Sequence, residues 1–349
     1  MSRWAVILAG GVGSRFWPLS TPKRPKQLLP LITDAPLLAD TVARLRELVP
    51  AERTLVVTNA SLAAAVRALL PQLPAENVIA EPRAAGTAPA LAWAAATIAR
   101  RGRADDVMLC VHADWAIGND AEFRSTLSRA ANVAEREHSL VTVGIVPTRP
   151  DPGFGYIEQG ERIGGRDDDG ARRVVRFTEK PNREMASRMV ADGLLWNSGI
   201  FVWRASDFLA EVRTHSPEVG PSLPLAESGD LAGFFSSVRP ISVDEGVLER
   251  SSHVLVIPGD FGWDDVGTWA ALHRVRRHDD AGNATFGDVH SLHATNNVVH
   301  ADAGSVVLYG VDDLVVVTRD GLTLVTTKER ATELKLLLDA LPARVRDRP

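Results

Sequence analysis

Short apolar runs that alternate with helical patterns constrain the fold of this chain more than any other feature. A strand followed by a helix, repeated along the chain, indicates a parallel sheet with helices on both faces. The predicted fold class is therefore α/β, with a Rossmann-like, mixed but mostly parallel sheet. Strands are predicted at residues 4–8, 53–58, 78–80 and 107–111, and helices at residues 40–48, 60–70, 88–100 and 122–137.

The sequence changes in character near Gly282, where β-branched runs punctuated by Gly, Asn and Asp replace the helical patterns. This pattern predicts a small β domain that ends in a helix over residues 331–341. We therefore expect a large domain over residues 1–281 and a small one over residues 282–349. The Gly- and Asp-rich segment 160–171 is typical of an exposed hairpin tip between two strands.

The loops that follow the predicted strands point to one binding site. Ligands of open α/β sheets bind beyond the carboxyl ends of the strands. We therefore expect the loops after Leu8, Ala80 and Val111 to line a common site.

A glycine cluster follows the first predicted strand, at Gly10, Gly11 and Gly13. Glycines lack a β-carbon, so their backbone N–H groups can approach and surround a phosphate. The alternative for such a cluster alone is a tight turn. It is not a P-loop, because no Gly-Lys-Ser/Thr sequence opens a helix here.

Prolines exclude a regular helix across the rest of this loop, and so they also exclude a dinucleotide-binding fingerprint. The loop is therefore expected to be extended and to bring Arg15 and Lys26 to a ligand. For each cation alone, the alternative is a solvated surface position. The prolines are Pro18, Pro22, Pro25 and Pro30.

Charge and cysteine content limit the partners of the chain. Its net charge of -5 lacks the basic surface that nucleic acid demands, so we expect no nucleic-acid partner. Cys110 is the single cysteine, which excludes an internal disulfide and fits a buried apolar position. No segment has the signature of a secretory signal or a membrane span, so a cytoplasmic protein without a membrane partner is expected.

Seven motifs resemble those of the nucleotide-sugar pyrophosphorylases. The first is the opening strand with G-G-x-G-x-R, an apolar pair, Pro-Leu and a later Pro-Lys. In this chain the motif has the form FWPLS at residues 16–20 and PKQ at residues 25–27, which is similar to the mannose-1-phosphate guanylyltransferase branch. The others follow in family order: AEPRAAGTAPA (80–90), HAD (112–114), GFGYIE (153–158), FTEKP (177–181), WNSGIF (196–201) and WDDVGTW (263–269).

The resemblance implies a nucleotidyltransferase fold with a β-helix-like C-terminal domain. The implied reaction moves GMP from GTP to α-D-mannose 1-phosphate, giving GDP-mannose and pyrophosphate. It proceeds by in-line attack on the α-phosphorus with the help of Mg²⁺ or another divalent cation. The resemblance also suggests a homodimer.

Site residues follow from the resemblance, position by position. Asp264 competes with its neighbour for the metal role, and a lone Asp would otherwise be a turn or helix cap. For Trp196, a place in the core is at least as well supported as sugar contact. The implied set is Arg15 and Lys26 for catalysis; Leu8, Gly10, Gly11, Gly13, Ser14, Glu81 and Thr87 for the nucleotide; Gly155, Glu179, Lys180 and Asn197 for the sugar phosphate; and Asp114 and Asp265 for the metal.

The sequence departs from the family pattern at His112, Trp115 and Gly86, which leaves nucleotide preference open. The main alternative is a sister pyrophosphorylase that uses another sugar 1-phosphate or another nucleoside triphosphate. A metal-dependent glycosyltransferase would usually show an Asp-x-Asp motif after a strand, which HADWA does not provide. A nucleotide-sensing subunit without activity is the third alternative.

Overall fold

A computed structural model describes residues 1–11, 14–163 and 169–346. The chain forms two compact units, each assembled from separate segments. The first unit comprises residues 1–10, 42–113 and 119–263, and the second comprises residues 11–41, 114–118 and 264–349. The domain boundary expected at residue 281 stays a prediction.

The described strands are β1 Arg3–Leu8, β2 Thr54–Asn59, β3 Val78–Glu81, β4 Val107–His112, β5 Leu140–Ile145, β6 Tyr156–Arg162, β7 Arg172–Thr178, β8 Leu195–Arg204, β9 Val254–Gly259, β10 Ala284–Leu292, β11 Val298–Tyr309, β12 Leu314–Arg319 and β13 Leu322–Thr327. The described α-helices are α1 Leu37–Leu45, α2 Ala63–Leu69, α3 Thr87–Arg101, α4 Asp120–Glu137, α5 Arg183–Ala191, α6 Ala205–His215, α7 Leu223–Ser228, α8 Leu231–Ser237, α9 Trp269–Val275, α10 Leu334–Ala340 and α11 Ala343–Arg346. The strands and helices predicted over residues 4–137 are all present, with shifted ends.

The shifted ends have local causes. Helix α2 begins at Ala63 because the side chain of Asn59 first closes a turn, accepting from the Leu62 N–H at 3.2 Å and from the Ser61 hydroxyl at 2.6 Å. Near the C-terminus, the single helix predicted over residues 331–341 is instead a 3₁₀ turn, Arg330–Glu333, followed by α10.

The first unit is built on one mixed sheet, which among the described residues has nine strands in the order β3-β2-β1-β4-β8-β5-β9-β7-β6. Strands β1 to β4 pair in parallel, as predicted. Their carboxyl ends therefore meet at one edge of the sheet.

The sheet is mixed, as predicted: strands β1 to β6 and β9 run in one direction, and β7 and β8 run in the other. Strand β8 runs antiparallel between β4 and β5, and β6 and β7 form an antiparallel hairpin whose second strand pairs with β9. The two strands of this hairpin are separated by residues 163–171, within the segment where a hairpin tip was expected. Residues 164–168 lie outside the described residues. The antiparallel pairings of β8, and that of β7 with β9, join strands that are distant in sequence, and no local sequence pattern predicts such pairing.

Both faces of the sheet are covered, as predicted. In β1, Trp4 and Val6 belong to one core cluster with α3, while the intervening Ala5 and Ile7 are also fully buried. Because alternate residues of a strand point to opposite faces, burial at every position means that both faces are packed. Helix α4 contacts β4, β5 and β8.

The second unit holds the proline-rich loop and a four-stranded sheet in the order β10-β11-β12-β13. As the prolines predicted, the loop contains only short 3₁₀ turns among its described residues, at Ser14–Phe16 and Lys26–Leu28, before α1. In the sheet, β10, β11 and β12 pair in parallel and β13 pairs antiparallel with β12. Across the described part of the chain, no helix has the length and apolar character needed to cross a membrane.

Candidate active site

The glycine- and proline-rich loop is held by buried anchors within the second unit. Phe16 is fully buried and meets the ring of Trp269 edge-on, with centroids 5.2 Å apart. The Gln27 side chain donates to the Gly11 carbonyl at 2.9 Å. Arg15 lies beside Phe16 in the first 3₁₀ turn and is exposed. The buried neighbour thus fixes the backbone that presents the Arg15 guanidinium.

Two of the predicted nucleotide-binding residues in this loop are Gly13 and Ser14. Gly13 lies outside the described residues. Ser14 is described only as the first residue of the turn Ser14–Phe16.

A buried ammonium group brings Lys26 together with both predicted metal ligands. Lys26 Nζ lies 3.0 Å from Asp114 Oδ2 and donates to the carbonyls of Asp265 and Val266, each at 2.9 Å. An ammonium has three N–H donors, so these contacts use all of them. Lys26 is only 5% exposed, which explains why its charge needs this complete set of partners.

Hydrogen bonding distinguishes the two neighbouring aspartates. Asp264 is buried, and its Oδ2 accepts from Arg274 Nε at 3.0 Å and Nη2 at 2.8 Å. Its Oδ1 accepts from the Val266 N–H at 3.1 Å, so this carboxylate secures the local backbone. The competing metal role of Asp264 is therefore not supported.

Asp265 has a different environment. Burial raises the pKa of its carboxyl group, the charge of Lys26 opposes that shift, and the charges of Asp264 and Asp114 add to it. Its Oδ1 accepts from the nearby Gly267 N–H at 3.1 Å. Extra positive charge next to Asp265 would therefore stabilise its ionised form.

Asp114 and Asp265 both carry carboxylates near the Lys26 ammonium, and carboxylate oxygens are ligands that Mg²⁺ takes. Mg²⁺ is commonly held by one or two carboxylates, with waters and phosphate oxygens as the other ligands. Within the described residues, no group of three or more His, Cys, Asp or Glu side chains is placed to hold a metal ion. The negative charges of Asp264 and Asp114 lie near Asp265, and a bound cation would reduce the repulsion among these carboxylates.

In the first unit, the ends of β1 and β3 form the predicted nucleotide side. Glu81, the last residue of β3, is 8% exposed, and burial raises its pKa to about 7. A β-carbon added to Gly10 would lie 3.7 Å from Glu81 Oε2. Leu8 ends β1 and its carbonyl accepts from the Ala113 N–H at 3.0 Å. The loops after β1, β3 and β4 are thus adjacent, as predicted.

The predicted sugar-side residues also meet within the first unit. A β-carbon on Gly155 would lie 2.6 Å from Glu179 Oε2 and 3.4 Å from Asn197 Cβ. The Asn197 N–H donates to the Gly155 carbonyl at 2.8 Å. Lys180 is exposed and pairs with Glu179. Only glycine at position 155 lets the Glu179 carboxylate come this close to the backbone.

Comparisons with known proteins show the family of this chain. The nucleotidyl transferase family model matches residues 4–282. A mannose-1-phosphate guanylyltransferase of Escherichia coli K12 is 38% identical over 97% of this chain and 73% of its own length. The chain belongs to the nucleotidyl transferase family, in its mannose-1-phosphate guanylyltransferase branch.

Other relatives of this nucleotidyl transferase extend the comparison. An alginate biosynthesis protein, AlgA, of Pseudomonas aeruginosa is 35% identical over 98% of this chain and 72% of its own length. A crystal structure described as a mannose-1-phosphate geranyltransferase from Thermus thermophilus is 34% identical, with a TM-score of 0.89 over 97% of this chain and 99% of that one. This chain therefore spans about three quarters of the E. coli relative and nearly all of the Thermus one.

One departure from the family pattern, Gly86, has a packing reason. Gly86 has a φ of +86°, and a β-carbon there would lie 2.2 Å from the Ile241 carbonyl oxygen. The next residue, Thr87, begins α3, and its hydroxyl accepts from the Val243 N–H at 2.8 Å. The glycine therefore allows residues 241–243 to pack against the start of α3.

Sequence reasoning missed Arg274 and Asp244, and it left Trp196 undecided. Trp196 is 1% exposed and packs edge-on against Phe154, with centroids 4.9 Å apart, so it belongs to the core. Arg274 holds Asp264, and Asp244 accepts from the Asn197 side chain at 2.7 Å. The partner of Asp244 is 47 residues away in sequence, so no spacing rule could identify it.

Proposed function

We propose that this enzyme transfers GMP from GTP to α-D-mannose 1-phosphate, giving GDP-mannose and pyrophosphate. The observation that carries the proposal is the buried Lys26 ammonium, held at the Asp114 carboxylate and the Asp265 backbone beside the loop that bears Arg15. The relatives named mannose-1-phosphate guanylyltransferase supply the choice of sugar and nucleotide.

Electrostatic repulsion is the main obstacle in the proposed reaction. A phosphate oxygen of the sugar phosphate attacks the α-phosphorus in line, and pyrophosphate leaves. Two like unit charges about 4 Å apart repel by roughly 4 kcal/mol at an effective dielectric near 20. Fixed cations and alignment must therefore supply most of the catalysis.

Arg15 and Lys26 are the proposed source of that fixed charge. Arg15, exposed on its anchored turn, would meet the triphosphate and the departing pyrophosphate. Lys26 would hold the α-phosphate, which requires a phosphate oxygen to replace one of its three present acceptors. The two backbone carbonyls are the weaker partners of the ammonium, because neither has a full negative charge. Backbone N–H groups of Gly10, Gly11, Gly13 and Ser14 would cradle the phosphates.

Asp114 and Asp265 would hold the divalent cation. When bound there, it would neutralise phosphate charge and help to align the reacting groups. The two carboxylates supply the oxygen ligands, and Asp264 and Arg274 keep the backbone of this segment in place.

Glu81 and Thr87 are the proposed contacts to guanine. The Glu81 carboxylate can accept from the N1 and N2 hydrogens, which adenine does not present. Its high pKa follows from burial, and hydrogen bonds from the base would favour its ionised form. Gly10 leaves the space next to Glu81 open to a ligand.

Gly155, Glu179, Asn197 and Lys180 are the proposed contacts to the sugar phosphate. The Glu179 carboxylate accepts from hexose hydroxyls, and the Asn197 amide can both donate and accept. Lys180 would meet the sugar phosphate, since its ammonium is exposed next to Glu179.

We also propose that residues 1–281 act as the catalytic domain and that the sheet of residues 282–349 is a β-helix-like appendix. Support for the appendix comes from the successive parallel pairing of β10, β11 and β12. A cytoplasmic location and a homodimer complete the proposal. A light-scattering mass measurement would test the homodimer.

The proposed function is tested by measuring pyrophosphate release with a panel of sugar 1-phosphates and nucleoside triphosphates. We expect mannose 1-phosphate with GTP to be among the best pairs and activity to require a divalent cation. The variant Lys26→Met should be almost inactive. A clear preference for another sugar phosphate or another nucleotide would instead identify a sister pyrophosphorylase, and no turnover with any pair would reject the enzyme class.

A further inference from the structure

A carboxylate outside the family motifs contacts the predicted sugar side. Asp244 begins a π-helical turn, Asp244–Leu248, an uncommon element that is often found at functional sites. Its Oδ1 accepts from Asn197 Nδ2 at 2.7 Å. Burial raises the pKa of Asp244, whereas this hydrogen bond and the charge of His112 lower it. The Asp244 carboxylate is therefore partly buried next to Asn197.

The contact with Asp244 determines which way the Asn197 amide points. A carboxylate only accepts hydrogen bonds, so it must face the amide nitrogen and not the amide oxygen. The oxygen, Asn197 Oδ1, then faces the Gly199 N–H at 3.3 Å. Within the described residues these contacts use two of the four hydrogen-bonding positions of the amide, which leaves one N–H and one lone pair of the oxygen for a ligand.

Asp244 is itself held by the start of α3. The Val243 N–H donates to the Thr87 hydroxyl, and backbone hydrogen bonds join Ile241 to Ala85 at 3.1 Å and to Ala88 at 3.3 Å. Because this segment is fixed by three hydrogen bonds, the Asp244 carboxylate has a defined position. The segment links the predicted nucleotide contact Thr87 to the predicted sugar contact Asn197.

We propose that Asp244 is a positioning residue for the sugar phosphate: it fixes the Asn197 amide so that one N–H and the carbonyl oxygen are presented to the hexose hydroxyls. The inference rests on the proposed function, since it assumes that Asn197 contacts the sugar. It assigns Asp244 a role in sugar affinity and none in the phosphate chemistry.

The test compares Asp244→Asn with the exchanged pair Asn197→Asp/Asp244→Asn. An amide at position 244 can accept or donate, so Asn197 loses its preferred orientation. For Asp244→Asn we expect the KM for mannose 1-phosphate to rise about tenfold and the KM for GTP to stay within about twofold. Glu245→Gln, which changes an exposed neighbouring acid, is the control and should leave both KM values unchanged.

The exchanged pair separates positioning from simple stabilisation. It restores a carboxylate-to-amide hydrogen bond, so its Tm should return to that of the parent. Its KM for mannose 1-phosphate should stay high, because position 197 no longer presents an amide. Recovery of both the Tm and the KM in the exchanged pair, or an unchanged sugar KM in Asp244→Asn, would overturn the proposal.

Failure of the proposed function would be visible separately, in the parent enzyme. If the parent prefers another sugar 1-phosphate, the same KM comparison is made with that substrate and still tests Asp244. If the parent is active with mannose 1-phosphate and GTP and no variant changes the sugar KM, only the inference about Asp244 fails.

Discussion

Replacing Glu81 by Gln should stabilise this protein at alkaline pH and not at acid pH. Glu81 is 8% exposed at the end of β3, and burial raises its pKa from 4.5 to about 7. At pH 8 the folded protein must therefore keep an unfavourable buried negative charge. Gln has nearly the same shape and carries no charge, so the substitution removes the unfavourable buried charge from the folded protein.

The magnitude follows from the pKa shift. Each pKa unit corresponds to about 1.4 kcal/mol, so a shift from 4.5 to about 7 destabilises the folded state by up to about 3 kcal/mol at pH 8. Because the folded-state pKa is raised, stability is greatest below pH 4.5 and falls as the pH rises towards 7. At pH 5 the remaining effect is below about 1 kcal/mol.

Thermal unfolding of Glu81→Gln and the parent at pH 5 and pH 8 measures the effect. At roughly 2–4 °C per kcal/mol, the Tm of the variant should exceed that of the parent by up to about 6–12 °C at pH 8 and by much less at pH 5. The exposed Glu76→Gln is the matched control and should show no such difference. An equal gain at both pH values, or no gain, would refute the argument from buried charge.

The same variant tests the proposed reading of guanine. A carboxylate that accepts two hydrogen bonds contributes roughly 2–3 kcal/mol, so Glu81→Gln should lower kcat/KM for GTP by about 30- to 150-fold. With ATP, whose base lacks those two donors, kcat/KM should change little. Equal losses with both nucleotides would place the base contact elsewhere.

Three further variants test the loop, the metal ligands and the packing at α3. Arg15→Ala should lower kcat by about 100-fold or more and leave the KM for mannose 1-phosphate nearly unchanged, since Arg15 acts on developing charge; near-normal turnover would exclude that role. Asp265→Asn should raise the Mg²⁺ concentration for half-maximal activity about tenfold, and an unchanged titration would move the ligand elsewhere. Gly86→Ala should lower the free energy of unfolding by about 3 kcal/mol or more, because the new β-carbon would lie 2.2 Å from a backbone oxygen. The control is Gly193→Ala, at a glycine that also has a positive φ but has open space around it, and it should lower the free energy of unfolding by only about 1 kcal/mol.

The local parts of this protein could be predicted from the sequence, because their causes lie within a few residues. Apolar runs bounded by turn residues determine β1 to β4, and the prolines of residues 18–30 keep the loop free of an α-helix. The motifs were sufficient to nominate Lys26, Asp114 and Asp265, which the structure brings together at one ammonium group.

Only the tertiary structure decided the features that depend on residues distant in sequence. The antiparallel insertion of β8 between β4 and β5 is set by strand pairing, which leaves no local signature. The hydrogen-bond partners that distinguish Asp264 from Asp265 depend on where the Arg274 guanidinium lies, and the orientation of the Asn197 amide depends on Asp244. Burial and hydrogen-bond partners set the state of a charged side chain, and both exist only after the chain has folded.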